Sequence, residues 1–388
     1  MVKLMEENIN EKTEKRTVRL FSASSFLNDL GSDIIYPIWP AFLTQYLKAN
    51  MSIVGFIDGL GDAIVSISQA VSGYLADKYR KRKIFIWIGY LFGALSRIGY
   101  AFSKSWYPVT FFRILDRAGK IRSAPRDAII ADISKDNSRG RNFGLLRSMD
   151  NLGAVVGILL CLLLFPILGY KYLFLIAAIP TLIGTSLILF FFKDLKLKTK
   201  AFKGYHLKLL SKDLKILLVL SAIFALANFS YSFLMIFASK YGFEIKNLPF
   251  LYLVFTLSAS IFSLYFGKLS DKVGRKKVLI FALLLWILTL SVIMLFRNWI
   301  GFIISFIIYG LHRAAFEPVH KTFISELAPP KHRASILGGF QLVIGLFAFP
   351  SSFLAGILWD KIGIFAPFYN SIILTVISIF FLFQIKTN

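Results

Sequence analysis

The chain has 388 residues, of which 56% are apolar and 40 are Phe, and its mean hydropathy is +0.67. That excludes a soluble domain, whose surface must be largely polar. The net charge of +24 would suit a nucleic-acid binder only if basic and aromatic residues interleaved on a soluble face, and no such stretch exists. A single cysteine, Cys161, excludes an intrachain disulfide and gives no thiolate cluster for a metal.

Apolar stretches near the roughly 20 residues that a helix needs to cross about 30 Å of hydrocarbon predict an all-α membrane protein with 12 transmembrane helices. In chain order the spans run 19–46, 52–75, 83–102, 106–124, 141–165, 171–192, 215–238, 247–268, 278–296, 299–322, 334–358 and 364–384. The first 17 residues carry mixed charge without a cleavage site. The first span is too long for a signal-peptide core, so it is expected to stay as an anchor. Of the 45 Lys and Arg, 33 fall on the face shared by the termini, seven on the opposite face (Lys48, Lys104, Lys171, Lys240, Lys246, Arg297, Lys361) and five inside spans. Positive charge accumulates on the cytoplasmic side, so both termini are expected to be cytoplasmic and the protein multi-pass in a prokaryotic plasma membrane.

The loop GYLADKYRKRK, from Gly73, returns as GKLSDKVGRKK from Gly267, an offset of 194 residues in a chain of 388. The same offset carries Asp132 to Glu326, Arg139 to Arg333 and Gly144 to Gly338, so a six-helix unit was duplicated. The halves are predicted to be six-helix bundles over residues 1–192 and 215–388, joined by a basic linker at 193–214. They should be related by an axis along the membrane normal, with a pathway between them. Leu207, Leu209, Leu210 and Leu214 lie among lysines in and beside this linker. They fit either an amphipathic helix on the anionic inner leaflet or a solvated tether.

These two loops resemble the signature of the major facilitator superfamily (MFS) between its second and third helices, and that signature's echo between the eighth and ninth. The likeness covers nearly the whole chain. More narrowly, SFLNDLGSDIIYPIWPAFL, GFIDGLGDA, LDRAGKIRSAPRDAIIAD and FGLLRSMDNLGAVVG resemble a prokaryotic branch of largely uncharacterised permeases. The resemblance implies the MFS fold of two pseudo-symmetric bundles and a transporter. It also implies that the loop holding Asp77 governs the conformational change without touching substrate. The cytoplasmic gate is accordingly expected at Gly73, Asp77, Arg80, Lys81, Arg126, Asp127, Gly267, Asp271 and Arg275.

A charge at bilayer depth costs about 2.5–3.5 kcal/mol on insertion scales, so each needs a partner, water or a function. Asp29 and Asp33 share a face of the first span with Tyr36, and Asp58 and Asp62 repeat the i,i+4 spacing on the second. Neighbouring carboxylates resist ionising together, which makes Asp29, Asp33, Asp58, Asp62 and Asp116 the proton-coupling candidates. The alternative is that they only neutralise Arg97, Arg113 and Arg117. The substrate cavity is expected to draw on Tyr36, Arg113 and Arg117, then on Arg147, Asp150 and Asn151 of the fifth span. From the other half it would take Asn228, Tyr231, His312, Arg313, Glu317 and Gln341. A guanidinium fork suits a carboxylate or phosphate. Arg113, standing where the superfamily often has an arginine, could instead belong to the coupling relay.

No phosphate-binding loop, metal-ligand motif or nucleophile–base arrangement with motif support occurs, so an enzyme is not expected, nor a cofactor or metal. The expected partners are a small-molecule substrate, protons and the lipid bilayer, without nucleic acid, and the expected state is a monomer. The function read here is proton-coupled secondary transport of a small organic solute, anionic or amphipathic, by alternating access. A facilitative uniporter, a multidrug-type exporter and, more remotely, a receptor or scaffold are the alternatives. Replacing Asp33 by Asn, and separately Asp62 by Asn, should abolish the pH-gradient dependence of uptake in at least one variant. Full dependence retained in both would remove these residues as proton carriers.

Overall fold

The computed structural model describes residues 11–79, 81–134, 138–194, 210–329 and 333–385, and these form helices and no strands. Nine helical segments among them are long and apolar enough to cross a membrane. Helix is the only open-chain answer in hydrocarbon, because its backbone satisfies its own hydrogen bonds.

Helix α1 (Glu11–Ile35) runs into an irregular stretch: a 3-10 turn at Tyr36–Ile38, a short helical piece at Trp39–Ala41 and a π-turn at Phe42–Tyr46. Pro37 and Pro40 remove amide donors there and so account for the irregularity. Next come α2 (Met51–Tyr79), α3 (Lys83–Phe102) and α4 (Trp106–Ala118), the last passing through a 3-10 turn (Gly119–Arg122) directly into α5 (Ser123–Ile133). Helix α6 (Arg139–Phe191) is two helices in one run, broken at Gly169, whose φ of 64° only glycine adopts easily. That break falls between the predicted fifth and sixth spans.

Helices α7 (Lys212–Ala227) and α8 (Tyr231–Lys240) make up the predicted seventh span, interrupted at 228–230. The freed carbonyls of Leu226 and Ala227 are taken by the hydroxyls of Ser351 and Ser371 at 2.9 and 2.5 Å, and Ser230 caps α8 by accepting from Ser232 N at 3.2 Å. A broken helix is tolerated at membrane depth only when neighbours supply such partners. The chain ends with α9 (Leu248–Val273), α10 (Arg275–Leu295), α11 (Trp299–Leu327), α12 (Arg333–Lys361) and α13 (Ala366–Gln384).

By packing the chain forms two compact units, one of Met1–Tyr36 with Ile67–Phe202 and one of Pro37–Ser66 with Lys203–Asn388. Helix α1 lies wholly in the first unit, whereas α2 contributes to both. In the first unit α1 lies along α6, and α3 packs on α6 and α4; in the second α7 packs on α12 and α13, and α11 on α9 and α10. The first span of each half thus seats on that half's last two.

Polar ties recur as well. Arg82 pairs with Asp132 at 2.6 Å and Arg275 with Glu326 at 2.8 Å; Lys83 Nζ donates to Leu189 O at 2.7 Å and Lys276 Nζ to Phe383 O at 3.0 Å. The acceptors are 194 residues apart and the donors 193. The basic loop of the second half is therefore one residue tighter, turning at Gly274 with φ 96°.

Close approach in the first unit rests on glycines facing backbone. A Cβ on Gly153 would lie 2.4 Å from Phe26 O, whereas one on Gly144 would meet nothing within 4 Å. Small residues at such crossings let backbones pack where no hydrophobic drive separates helix from lipid. Gly153→Ala should therefore destabilise the purified protein by about 1–3 kcal/mol and lower its melting temperature, with Gly144→Ala within about 0.5 kcal/mol of wild type. Equal melting temperatures for the two variants would contradict this packing.

Candidate functional site

In the first unit the polar residues of α1 meet α3, α4 and α6. Arg97, buried on α3, spreads its fork between two helices: Nη1 donates to Ala177 O at 3.1 Å, and Nη2 to Asn28 O at 3.1 Å and Ser32 Oγ at 2.8 Å. Gly31 leaves the space for it, since a Cβ there would come 2.3 Å from Arg97 Nη1. Arg97 thus fastens α1 to α3 and α6 through neutral oxygens. Its predicted alternative partners, the acids of the first two spans, are not among these.

One turn beyond Asp33, the 3-10 turn presents Tyr36 to two arginines of α4. Arg117 Nη1 donates to Tyr36 Oη at 3.1 Å, and the guanidinium carbons of Arg117 and Arg113 stand 5.1 and 5.8 Å from the ring centroid. Those distances are within cation–π range. Arg113 is 2% exposed. Asp116 approaches Arg117 at 3.9 Å. Asp33 is buried and Asp29 half-buried, with Asn28 Nδ2 donating to Asp29 at 2.8 Å. Tyr36, Arg113, Arg117 and Asp116 are therefore brought together.

A second network links residues that the sequence placed in different sites. Arg126 Nη1 donates to Ser25 Oγ at 2.7 Å, Ser25 donates in turn to Asp150, and Arg126 Nε pairs with Asp127 at 3.0 Å. Arg147 is largely exposed and reaches Asp150 at 3.6 Å, and Asn151 is exposed. Farther along, buried Glu14 accepts from Ser138 Oγ at 2.6 Å and Asn142 Nδ2 at 2.7 Å. Sequence reasoning treated Glu14 as part of a charged tail. The E-K-T-E-K-R setting hid that helix α1 already begins at Glu11.

In the second unit Asp58 and Asp62 have different surroundings despite their common helix. Asp62 is exposed. Asp58 is 3% exposed and gathers three donors: Trp39 Nε1 at 2.9 Å, Ser230 Oγ at 2.7 Å and Ser232 Oγ at 2.5 Å. Asn228 lies in that break and Tyr231 just after it, and Tyr231 sits tilted against Tyr252, which meets Phe255 edge-on, and Phe255 stacks on Tyr309. Arg313 pairs with Glu317. His312 Nδ1 donates to Ala282 O at 2.8 Å amid Trp286, Tyr309 and Phe316, and His320 meets Ser221 at 2.8 Å. Both histidines thus join helices of one unit. Gln341 is half-buried on α12.

Of the residues expected at the gate, Asp271 and Arg275 pair at 2.5 Å and Arg275 also reaches Glu326. Lys81 is exposed, a Cβ on Gly73 would lie 3.5 Å from Ala124 Cβ, and Gly267 has open space around it. The side chains of Asp77 and Arg80 lie outside the described residues. Ser25, Asn28, Ser32, Trp39, Ser230 and Ser232 were not anticipated. Neutral polar residues give no sequence signal until their partners are known. No group of three or more His, Cys, Asp or Glu among the described residues could hold a metal ion.

The profile of the Major Facilitator Superfamily matches residues 21–261 and 216–387. An uncharacterized MFS-type transporter of Methanocaldococcus jannaschii is 36% identical over 386 residues, covering 97% of this chain and 96% of that protein. The quinolone resistance protein NorA of Staphylococcus aureus is 24% identical over 362 residues, covering 89% and 90%. Among solved structures, a mutant of the nucleoside transporter NupG superposes with a TM-score of 0.80 at 16% identity, covering 95% of this chain and 98% of that one. At that identity the likeness shows the fold alone.

The Arg97 geometry makes a prediction about stability. A lysine there reaches the acceptors of one helix only, and each hydrogen bond to a charged group contributes about 1.5–3 kcal/mol. Arg97→Lys should lower the melting temperature by a corresponding amount, while Arg147→Lys, at an exposed site, changes stability by less than about 1 kcal/mol. Equal effects of the two would show that Arg97 does not fasten these helices.

Proposed function

The chain belongs to the Major Facilitator Superfamily, and from that premise we propose that it is a proton-coupled secondary transporter of a small amphipathic organic anion, working by alternating access. It crosses a prokaryotic plasma membrane twelve times as a monomer, in two pseudo-symmetric six-helix bundles at 1–192 and 215–388 with cytoplasmic termini. The partition of 33 basic residues against seven supports that orientation.

One observation carries the substrate class: Arg113 and Arg117 converge on Tyr36 within 6 Å of its ring. Two planar cations beside one aromatic face suit a solute with a carboxylate or phosphate at one end and an apolar body at the other. Asp29, Asp33, Asp58, Asp62 and Asp116 are the proposed proton path, with Asp33 buried next to the arginine cluster. Arg147, Asp150, Asn151, Asn228, Tyr231, His312, Arg313, Glu317 and Gln341 complete the proposed cavity lining. Gly73, Asp77, Arg80, Lys81, Arg126, Asp127, Gly267, Asp271 and Arg275 form the proposed cytoplasmic gate.

A second reading, export of amphipathic compounds, is favoured by the aromatic run Tyr231, Tyr252, Phe255 and Tyr309, whose last two rings stack at 4.4 Å. It also fits the relationship to a quinolone resistance protein.

A melting-temperature screen of small carboxylates, phosphate esters, organic cations and neutral amphiphiles on the purified protein separates these readings, since a ligand stabilises the state it binds. Anions are expected to stabilise it, and Arg117→Lys to weaken the best of them roughly ten- to a hundredfold, the affinity equivalent of about 1.4–2.7 kcal/mol. In proteoliposomes that anion should then accumulate only under an imposed pH gradient. Stabilisation by cations or neutral amphiphiles alone, indifferent to Arg117, would favour the exporter, and flux indifferent to the gradient a uniporter.

A further inference from the structure

Two carboxylates in the second unit each sit at the N-terminus of a helix to which they are not covalently near. Asp360, at the end of α12, accepts from Met51 N at 3.2 Å, Ser52 N at 2.7 Å and Ser52 Oγ at 2.6 Å, the first turn of α2. Asp58, on α2, accepts from Ser230 Oγ and Ser232 Oγ at the start of α8. The exchange is reciprocal. A residue of the C-terminal half holds the start of α2, and a residue of α2 holds the restart of the broken seventh span. Helix N-termini leave unsatisfied amides and a positive field, so Asp360 replaces water as the partner of the Met51 and Ser52 amides, while Asp58 takes the two serine hydroxyls at the start of α8.

Between the two contacts α2 and α12 meet without room for a methyl group. A Cβ on Gly55 would lie 2.0 Å from Ser352 O, one on Gly59 2.7 Å from Phe349 O, and one on Gly356 2.3 Å from Met51 O. Phe56 stands edge-on to Phe349 and Phe353, with centroids 5.8 and 6.0 Å away. Gln45 adds a hydrogen bond to Ser239 at 3.3 Å. All of this ties residues 37–66 to C-terminal helices, although in sequence the segment belongs to the N-terminal half. The segment also carries Lys48, one of the seven basic residues assigned above to the face opposite the termini.

We propose that Asp360 and Asp58 are a pair of latches that close the outer side of the transporter, and that segment 37–66 leaves the C-terminal helices only when both helix N-termini are released. The proposal rests on the alternating-access reading and gives it a specific device. Met51 N and Ser52 N must exchange Asp360 for water when the outer side opens. With the latch gone, that exchange is already made in the closed state. Asp360 is exposed, so its loss removes a partner without hollowing a core. The glycines behind it, Gly55, Gly59 and Gly356, carry no side chain that could hydrogen-bond against separation.

The test uses Cys161→Ser to remove the sole cysteine and Ser352→Cys as a reporter buried at the Gly55 contact, 1% exposed as serine. Labelling by a membrane-impermeant maleimide is followed in right-side-out vesicles. Adding Asp360→Ala should raise the labelling rate at least fivefold, and Asp360→Asn, which keeps one acceptor, should raise it less. Ser52→Ala, which removes only the hydroxyl donor, is the second route should Asp360→Ala fold poorly, and it too should accelerate labelling. A finite rate that none of the three variants changes would overturn the latch while leaving alternating access standing. No labelling in any background would mean that the segment never separates, and both readings would fall.

Discussion

Hydrocarbon offers no partner to a polar group, and that constraint organises this molecule more than any single contact. Every interior arginine described here is met by oxygen or by an aromatic face. Arg97 takes two main-chain carbonyls and a serine, and Arg117 takes the hydroxyl and ring of Tyr36. The broken helix at 228–230 survives because Ser351, Ser371 and Ser230 take over its loose ends. Glycine-lined crossings then bring the helices close enough for these short side chains to reach.

The constraint also sorts charges by task. Arg97 and Glu14 are enclosed by neutral donors and acceptors on several helices, an arrangement suited to fixing geometry. Arg113 and Arg117 gather at Tyr36 with Asp116 beside Arg117, and Asp33 is buried one turn earlier on α1. Asp58 gathers its donors from a discontinuous helix, a place where a small rearrangement of backbone changes the partners available. In the alternating-access mechanism proposed above, groups of the first kind would hold each body rigid, and the others would respond to solute and proton.

Much of this was legible before any coordinates. The repeat of Gly73–Lys83 at Gly267, the apolar runs and the basic loops pointed to a duplicated helical membrane protein, and the contact scheme recurs between the halves. The i,i+4 pairing of Arg313 with Glu317 also follows from spacing alone. What spacing could not supply was partnership across helices. Asp58 and Asp62 look equivalent in sequence, yet one is buried against Trp39 and two serines and the other is exposed, because only the former faces the break in the seventh span. The one-residue slip of the second basic loop was hidden for a similar reason: an offset of 194 matches the letters, while the cation that reaches Glu326 is set by the turn at Gly274.

The central claim is that water reaches the cluster around Tyr36 from alternate sides of the membrane. Tyr36→Cys in the cysteine-free background, probed with an impermeant maleimide added separately to right-side-out and inside-out vesicles, tests it directly. Reaction from both faces, with a stabilising anion suppressing one and enhancing the other, is the predicted result. A cysteine there that is sealed from both faces under every condition would contradict it.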